Sequence, residues 1–253
     1  MALSLSGDPQ ATAQQLGNPY TPPTSGGIVG PGRHTVGTKA SDLYGNIYRY
    51  VLAGVAPLVA GNWLQSPAQV ALHQNLAPTA AVDVGATSFT VTLGATAASA
   101  NQYAGGWAII SGGPGAGLKY QIATHPAALA SGTLLVTLNQ PIDVALVAAT
   151  SKVDLQANPF NGVIQNPITT LTGACVGVAT FATPAGAYDW IQTHGVAAAL
   201  IAGTPGVGFA LVVPGTAAGA AVVDSAAAAT PIVGKILVTG VDGRNQAVFL
   251  SLE

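Results

Sequence analysis

The sequence predicts a mainly β protein, built from barrel-like or sandwich-like β-subdomains with an extended N-terminal arm and little helix. Three observations lead to this prediction. Short β-branched and aromatic segments recur with turn residues between them, a pattern typical of barrels and sandwiches. Glycine (32) and proline (17) are spread through the 253 residues and interrupt helical runs. No amphipathic helix of substantial length is visible.

Residues 1–45 are expected to form the arm. From residue 17 to 27 the sequence reads Gly-Asn-Pro-Tyr-Thr-Pro-Pro-Thr-Ser-Gly-Gly, and Gly-Pro-Gly follows at 30–32. These stretches hold too many breakers for a helix or a central strand. A segment of this kind is either disordered or lies extended along a neighbouring subunit, and the sequence leaves both alternatives open.

Strand patterns begin after residue 46. The clearest is 88–93, where Phe89, Val91 and Leu93 alternate with serine and threonine and so share one face. Helix signals are weak: residues 65–76 and 123–130 are candidates for short helices, and 217–229 is expected to be a loop with at most a turn or two. The other predicted strands are 47–52, 107–110, 119–122, 133–138, 175–181, 188–193, 197–201, 208–213, 231–239 and 246–252.

Two boundaries divide the strands into subdomains. Residues 79–159 contain a self-contained set of strands that ends at the turn signal Asn158-Pro159. The sequence therefore predicts a β-subdomain at 79–159, inserted into a β-domain formed by 46–78 plus 160–253.

Charge and cysteine content exclude several classes of protein. Lys and Arg total seven and the net charge is −2, so no basic surface is available for nucleic acid. The one cysteine, Cys175, excludes a disulfide framework or a multi-cysteine metal site. The uncharged run after Asp189 is broken by glycine and proline at 203–206 and 214–215, which argues against a membrane span. The first eight residues predict no signal peptide.

The motifs that could suggest catalysis or cofactor binding have simpler interpretations. The glycine-rich stretch 112–119 differs from a phosphate-binding loop because Leu118 stands where the lysine is needed, and a turn between strands is expected there. Cys175 lies in an apolar run and is expected to be a buried structural cysteine. We expect no cofactor and no bound metal. The four histidines lack the local spacing of a metal site and are expected to be structural or surface residues: His34, His73, His125 and His194.

Carboxylate catalysis would need two acids that face each other. The one pair that deserves consideration is Asp189 with Asp224, and it has no support from spacing. The three tryptophans, Trp63, Trp107 and Trp190, lie in apolar strands and are expected to be core or interface anchors. We therefore predict that the protein is not an enzyme.

The charge deficit points to assembly. Charged residues are 6% of the chain, whereas the surface of a soluble monomer usually needs about 25–35%. Small uncharged residues must therefore form much of the exterior, and such residues lose little side-chain entropy when buried. This favours a component that packs against copies of itself or a partner. The alternative is an ordinary charge-poor extracellular β-protein.

Several stretches resemble the capsid decoration (cement) proteins of tailed phages. The likeness covers residues 80–253 and is one of general pattern. One of the stretches reads Gly-Ala-Tyr-Asp-Trp-Ile-Gln-Thr-His-Gly at 186–195. The others are 103–107 through 117–122, 135–138 with 141–142, and 234–240 with 249–252.

The resemblance implies a non-enzymatic virion protein on the capsid exterior, assembled in the host cytoplasm. It would bind the major capsid protein, commonly as a homotrimer, and clamp adjacent capsid subunits against internal DNA pressure, without contacts to nucleic acid or membrane. The arm could add a strand to a neighbour's sheet edge. Contacts are expected within 17–38, and the candidate partner-binding residues are Asn18, Pro19, Tyr20, Pro22, Pro23, Arg33 and His34.

Three other functions stay open at this point. A tail or fibre component would also be β-rich, but it would more often show a repeat or a coiled-coil heptad. A carbohydrate-binding module or glycan-degrading spike predicts exposed aromatic residues and a pair of acids. A major capsid subunit predicts a long helical spine.

Overall fold

The computed structural model describes residues 34–42, 44–168, 170–224 and 231–253. It is mainly β, as predicted. No helix within these ranges is long and apolar enough to cross a membrane. The strands are β1 Lys39–Ser41, β2 Ile47–Ala53, β3 Trp63–Gln65, β4 Ser88–Thr92, β5 Trp107–Gly112, β6 Lys119–Thr124, β7 Thr133–Leu138, β8 Lys152–Gln156, β9 Asn161–Gln165, β10 Cys175–Ala179, β11 Tyr188–Ile201, β12 Ala210–Val212, β13 Val222–Val223, β14 Ile232–Ile236 and β15 Arg244–Ser251.

The chain divides into two compact units. The host unit comprises Met1–Pro67 and Pro159–Glu253, and the inserted unit comprises Ala68–Asn158. The inserted unit thus begins earlier than the boundary expected near residue 79. The reason is that residues 76–79 pair within it: the Leu76 amide donates to Val153 at 2.9 Å, and the Thr79 amide donates to Thr90 at 2.9 Å.

The inserted unit is a small closed barrel. Its five strands pair in the order β4-β7-β6-β5-β8. Leu76 bridges to Val153 of β8 and Pro78 bridges to Val91 of β4, so this short segment joins the two ends of the sheet. Alternation along the strands fills the interior, with Phe89 and Val91 buried and Ser88 and Thr92 exposed. The largest buried side chains of this core are Tyr120, Ile110, Ile122, Leu134, Ile142, Leu146 and Leu155.

The glycine-rich stretch after β5 is a turn. β5 and β6 pair antiparallel, and Gly113, Gly115 and Gly117 between them adopt positive φ. A Cβ on Gly113 would collide with the backbone of Thr150, so both the conformation and the close approach require glycine there. The expectation of a hairpin rather than a phosphate-binding loop agrees with this geometry.

The host unit contains two closed rings of strands that share β11. In the first ring, β2 pairs with β9 and with β11. The remaining steps run from β9 to β3, β10 and back to β11. Its core consists of Val51, Ala53, Leu58, Leu64, Val163, Val176, Ala179 and Ile191.

The second ring uses the other half of β11. β11 pairs with β15, β15 with β14, β14 with β12 and β12 with β13. A bridge from Ala221 to Ile201 returns the ring to β11. Trp63 of β3 belongs to this second core, and its Nε1 donates to the Leu200 carbonyl at 3.1 Å, which ties the two rings together.

Two predictions about element boundaries were wrong. The predicted strands 188–193 and 197–201 form the single 14-residue strand β11. The strand continues through a register shift between Gln192 and His194, and Gly195, at φ +88°, directly follows that shift. The candidate helices at 65–76 and 123–130 are also absent, except for one 3₁₀ turn at Ala71–His73.

Tertiary pairing explains the missing helices. Ala98 and Ala128 exchange backbone hydrogen bonds of 2.9 Å, which holds the 123–130 segment extended. Pairing of this kind outweighs the helix propensity of the alanines in the segment. In the expected loop 217–229, the described residues include the short strand β13, and 225–230 lie outside the described part of the chain.

Candidate interaction surfaces

Among the predicted partner-binding residues, the structure describes His34 alone. Asn18, Pro19, Tyr20, Pro22, Pro23 and Arg33 lie outside the described residues. The His34 ring packs 5.2 Å from the Tyr50 ring and 5.4 Å from the Trp190 ring, measured between centroids. His34 therefore sits against the host unit rather than standing free.

The residues around His34 form an aromatic cluster on the first ring. Tyr50 and Trp190 lie opposite each other on β2 and β11, with ring centroids 5.2 Å apart. Tyr188 stacks on Tyr50 at 5.8 Å. Tyr50 and Trp190 are buried, so this cluster anchors residues 34–38 to the barrel.

An ion-pair clamp reinforces that anchor. Arg49 Nε and Nη2 lie 2.7 and 2.9 Å from the two carboxylate oxygens of Glu253, and Lys39 Nζ lies 3.5 Å away. Arg49 Nη1 also donates to the Gly37 carbonyl at 2.8 Å. The hydrogen bonds from Arg49 lower the pKa of Glu253. The clamp fixes β1 and the residues before it to β2 and the final residue of the chain.

A second surface lies on the outside of the second ring, and we call it the outer β-face. Val196 of β11 stands opposite Phe249 of β15, which stands opposite Lys235 of β14. Val196 is 54% exposed and Phe249 39%. The outer β-face consists of Val196, Ala198, Lys235, Leu237, Ala247 and Phe249.

The stretches 196–199 of β11 and 247–250 of β15 are apolar on both faces. Between the exposed residues of β11 and β15 lie Ala197, Ala199, Val248 and Leu250, all of which are buried in the core. An antiparallel strand with one solvated face normally alternates apolar with polar residues. Sequence reasoning missed this surface, although unbroken apolar character from 196 to 201 was the available signal.

The inserted unit carries a third surface, which we call the valine ribbon. Residues 82–86 and 142–147 run antiparallel, since Val82 donates to Leu146 at 2.9 Å and Gly85 donates to Ile142 at 2.8 Å. Three exposed valines lie on this ribbon, and an aspartate directly precedes two of them in the sequence. The ribbon presents Val84, Val144 and Val147 together with Asp83 and Asp143.

An open cleft of about 730 Å³ lies between β3 and the start of β15 in the host unit. Its polar lining comes from Asn62, Arg244, Asn245 and Gln246. The Asn245 side chain lies against Gly61, which adopts φ +81° and leaves no room for a Cβ. No aromatic side chain lines the cleft, so it lacks the stacking platform expected of a sugar site.

The residues considered for catalysis are engaged in structural contacts. The buried Asp189 carboxylate accepts hydrogen bonds from Thr183 Oγ1 and the Trp190 amide, both at 2.7 Å. Burial raises the pKa of Asp189, and Asp224 is not among its hydrogen-bond partners. Burial likewise raises the pKa of the Cys175 thiol to about 11, so it stays protonated near neutral pH.

Two histidines form a buried network in the inserted unit. His73 Nδ1 lies 2.5 Å from the Tyr103 hydroxyl and its Nε2 lies 2.9 Å from the Thr96 carbonyl. The Tyr103 amide donates to His125 Nε2 at 2.9 Å, and His125 Nδ1 lies 2.8 Å from the Pro126 carbonyl. Since the Pro126 carbonyl only accepts, His125 carries its proton on Nδ1. Since the Tyr103 amide only donates, Nε2 carries no proton, and the ring is neutral.

Trp63 and Trp190 are fully buried, and Trp107 lies beneath Lys119, whose Nζ is 4.7 Å from the ring centroid. They therefore do not form an exposed aromatic platform.

Within the described residues, no group of three or more His, Cys, Asp or Glu side chains could hold a metal ion. No family model, curated protein or solved structure matches the chain.

Proposed function

We propose that this protein is a structural component of a virion, which binds the outer surface of an icosahedral phage head and stabilises it by bridging adjacent capsid subunits. The observation that supports this proposal most is the exterior of the barrels. It carries few charges and exposes large apolar side chains on both units, including Val84, Leu129, Val196 and Phe249. Apolar surface of this kind is typical of proteins that are covered by a partner.

Closed rings of strands suit a protein that holds adjacent capsid subunits together. In the host unit and the inserted unit, the long strands are paired on both sides, so each unit can meet a partner with a preformed side-chain surface. Little conformational freedom is then lost on binding. Many symmetric copies on one head convert modest contacts into high avidity.

The arm supplies the second contact. Residues 17–38, with the candidate residues Asn18, Pro19, Tyr20, Pro22, Pro23, Arg33 and His34, would lie on a neighbouring capsid subunit. The aromatic cluster and the Arg49–Glu253 clamp hold residues 34–38 on the barrel. Force on the arm would therefore pass directly into the first ring.

The proposed partners are the major capsid protein and further copies of this chain, as a homotrimer. The proposal includes no enzymatic activity, no cofactor, and no binding to nucleic acid or membrane. A carbohydrate-binding module is the rival function, and the buried Trp63 and Trp190 are not available to it for stacking on a sugar.

Co-sedimentation with phage heads tests the function. The full chain would be mixed with expanded heads, stripped of their decoration protein, from a panel of tailed phages. We expect saturable binding to one head type, at a fixed copy number, and release of DNA from those heads at a higher temperature. A chain lacking residues 1–33 should bind more weakly.

An unrelated β-barrel protein of similar size serves as the control for trapping in the pellet. Failure to bind any head, together with binding to a glycan array, would contradict the proposal and favour the carbohydrate-binding alternative.

A further inference from the structure

The outer β-face has the composition of a covered surface. Five of its six residues are apolar, they come from β11 and β15 and from β14 with the residue after it, and the opposite side of the same strands already packs in the core. The ring of His194 lies edge-on to Phe249 at 5.3 Å between centroids and holds that side chain in place. A preorganised apolar face of this kind is typical of an interface core.

The one charge on this face identifies what its partner must supply. Lys235 is exposed and makes no ion pair with any described residue. A lysine next to a covered apolar surface loses hydration when the surface is buried, and a carboxylate beside it offsets that cost. The partner must therefore present apolar side chains with at least one acidic group beside them.

The valine ribbon of the same chain has this composition. Val84, Val144 and Val147 are exposed, and the neighbouring Asp83 and Asp143 make no side-chain hydrogen bond or ion pair with any described residue. The ribbon thus combines three exposed apolar side chains with two exposed carboxylates. It complements the outer β-face in both polarity and charge.

We propose that the outer β-face of one copy of this protein packs on the valine ribbon of a second copy, with Lys235 beside Asp83 and Asp143. The contact is heterologous, since each copy uses a different surface on each side, and repeated contacts of this type give a ring when the rotation closes and an open filament when it does not. A face-to-face contact between two outer β-faces would supply no carboxylate for either lysine. The inference rests on the proposed self-association and identifies the two surfaces that produce it.

Light scattering coupled to size-exclusion chromatography tests the contact. The wild-type chain is expected to have a mass that is a multiple of 24.9 kDa. Lys235→Glu should shift it to the monomer, because the new carboxylate faces two others. Asp83→Lys with Asp143→Lys should do the same, and the triple variant, in which the charges are exchanged, should restore the oligomer.

Arg244→Glu provides the matched control, because it makes the same change of charge on an exposed residue of β15 outside the outer β-face. Circular dichroism and thermal melting establish that each variant folds. A monomeric wild type, an oligomer that survives Lys235→Glu, or a triple variant that stays monomeric would overturn the contact. Head binding is measured separately, so loss of head binding with an intact oligomer counts against the proposed function and not against this contact.

Discussion

The inserted unit and the host unit differ in the polarity of the residues that their strands place on the outer face. In the inserted unit, β4 places Phe89 and Val91 inside and Ser88 and Thr92 outside, so one ring of strands completes a self-sufficient barrel. In the host unit, residues 196–199 of β11 and 247–250 of β15 are apolar on the inside and on the outside. The comparison teaches that strict alternation gives β4 a polar outer face, and that its loss in β11 and β15 leaves an apolar one.

The two faces of β11 provide the strongest test of this difference. Ala199 faces the core and is fully buried, whereas Ala198 next to it is exposed on the outer β-face. Ala199→Asp should lower the free energy of unfolding by more than about 3 kcal/mol, because it buries an unpaired charge. Ala198→Asp should change stability by less than about 0.5 kcal/mol while weakening self-association.

Urea unfolding, followed by circular dichroism, measures both values. Equal losses of stability in the two variants would mean that the outer β-face is already covered within one chain, and the contrast between the units would disappear.

The second-largest effect is expected from acid, which should destabilise the inserted unit before the host unit. Burial lowers the pKa of His125 below its usual 6.5, and the nearby His73 lowers it further. Tyr103 and His73 are the titratable groups that contact this network. The unfolded chain then binds the proton more readily, so stability is full above pH 6.5 and falls as the pH drops through 6.5 toward the folded pKa.

Hydrogen exchange, followed peptide by peptide from pH 7.5 to 5, measures this effect. Protection should fall first in the inserted unit, at residues 98–104 and 122–128. His125→Gln, which retains an acceptor, should make that protection independent of pH over this range. Earlier loss of protection in β11 than in these segments would contradict the assignment.

The smallest effect on stability is expected at the ion-pair clamp that Arg49 and Lys39 form with Glu253. Glu253→Gln removes the ion pairs with Arg49 and Lys39, and partly exposed pairs of this kind contribute about 0.5–1 kcal/mol. The loss should shrink in high salt, because mobile ions screen the wild-type pairs. Thermal melts at low and high salt measure it, and Asp242→Asn on the same unit serves as a control. An equal loss at both salt concentrations would show that the clamp acts through packing rather than charge.

The sequence was informative wherever a strand could be recognised from its own residues. The alternation of β4 and the composition of β7 predicted both strands. Strands β1, β3, β8, β9 and β13 were missed. β1, β3 and β13 are only two or three residues long, and β3, β8 and β9 form through partners that are distant in sequence. β9, for example, pairs with β2 more than 100 residues before it.

The candidate surfaces were less predictable than the strands. The arm residues were chosen from composition, and only His34 falls within the described residues. The outer β-face could have been suspected from the unbroken apolar run after His194. The valine ribbon could not, because it depends on the pairing of Val82 with Leu146 across 64 positions of the chain.

The position of β11 in both host rings also sets an order of events during synthesis. The inserted unit ends at Asn158, so all of its strands are available long before β11 leaves the ribosome. β2 and β3 must wait for β11 and β10 to close the first ring, and the second ring waits for β15, which ends at Ser251. Because domains generally fold as units as they emerge, the barrel in the middle of the sequence folds first, the first ring closes when β11 arrives, and the second ring closes when β15 arrives.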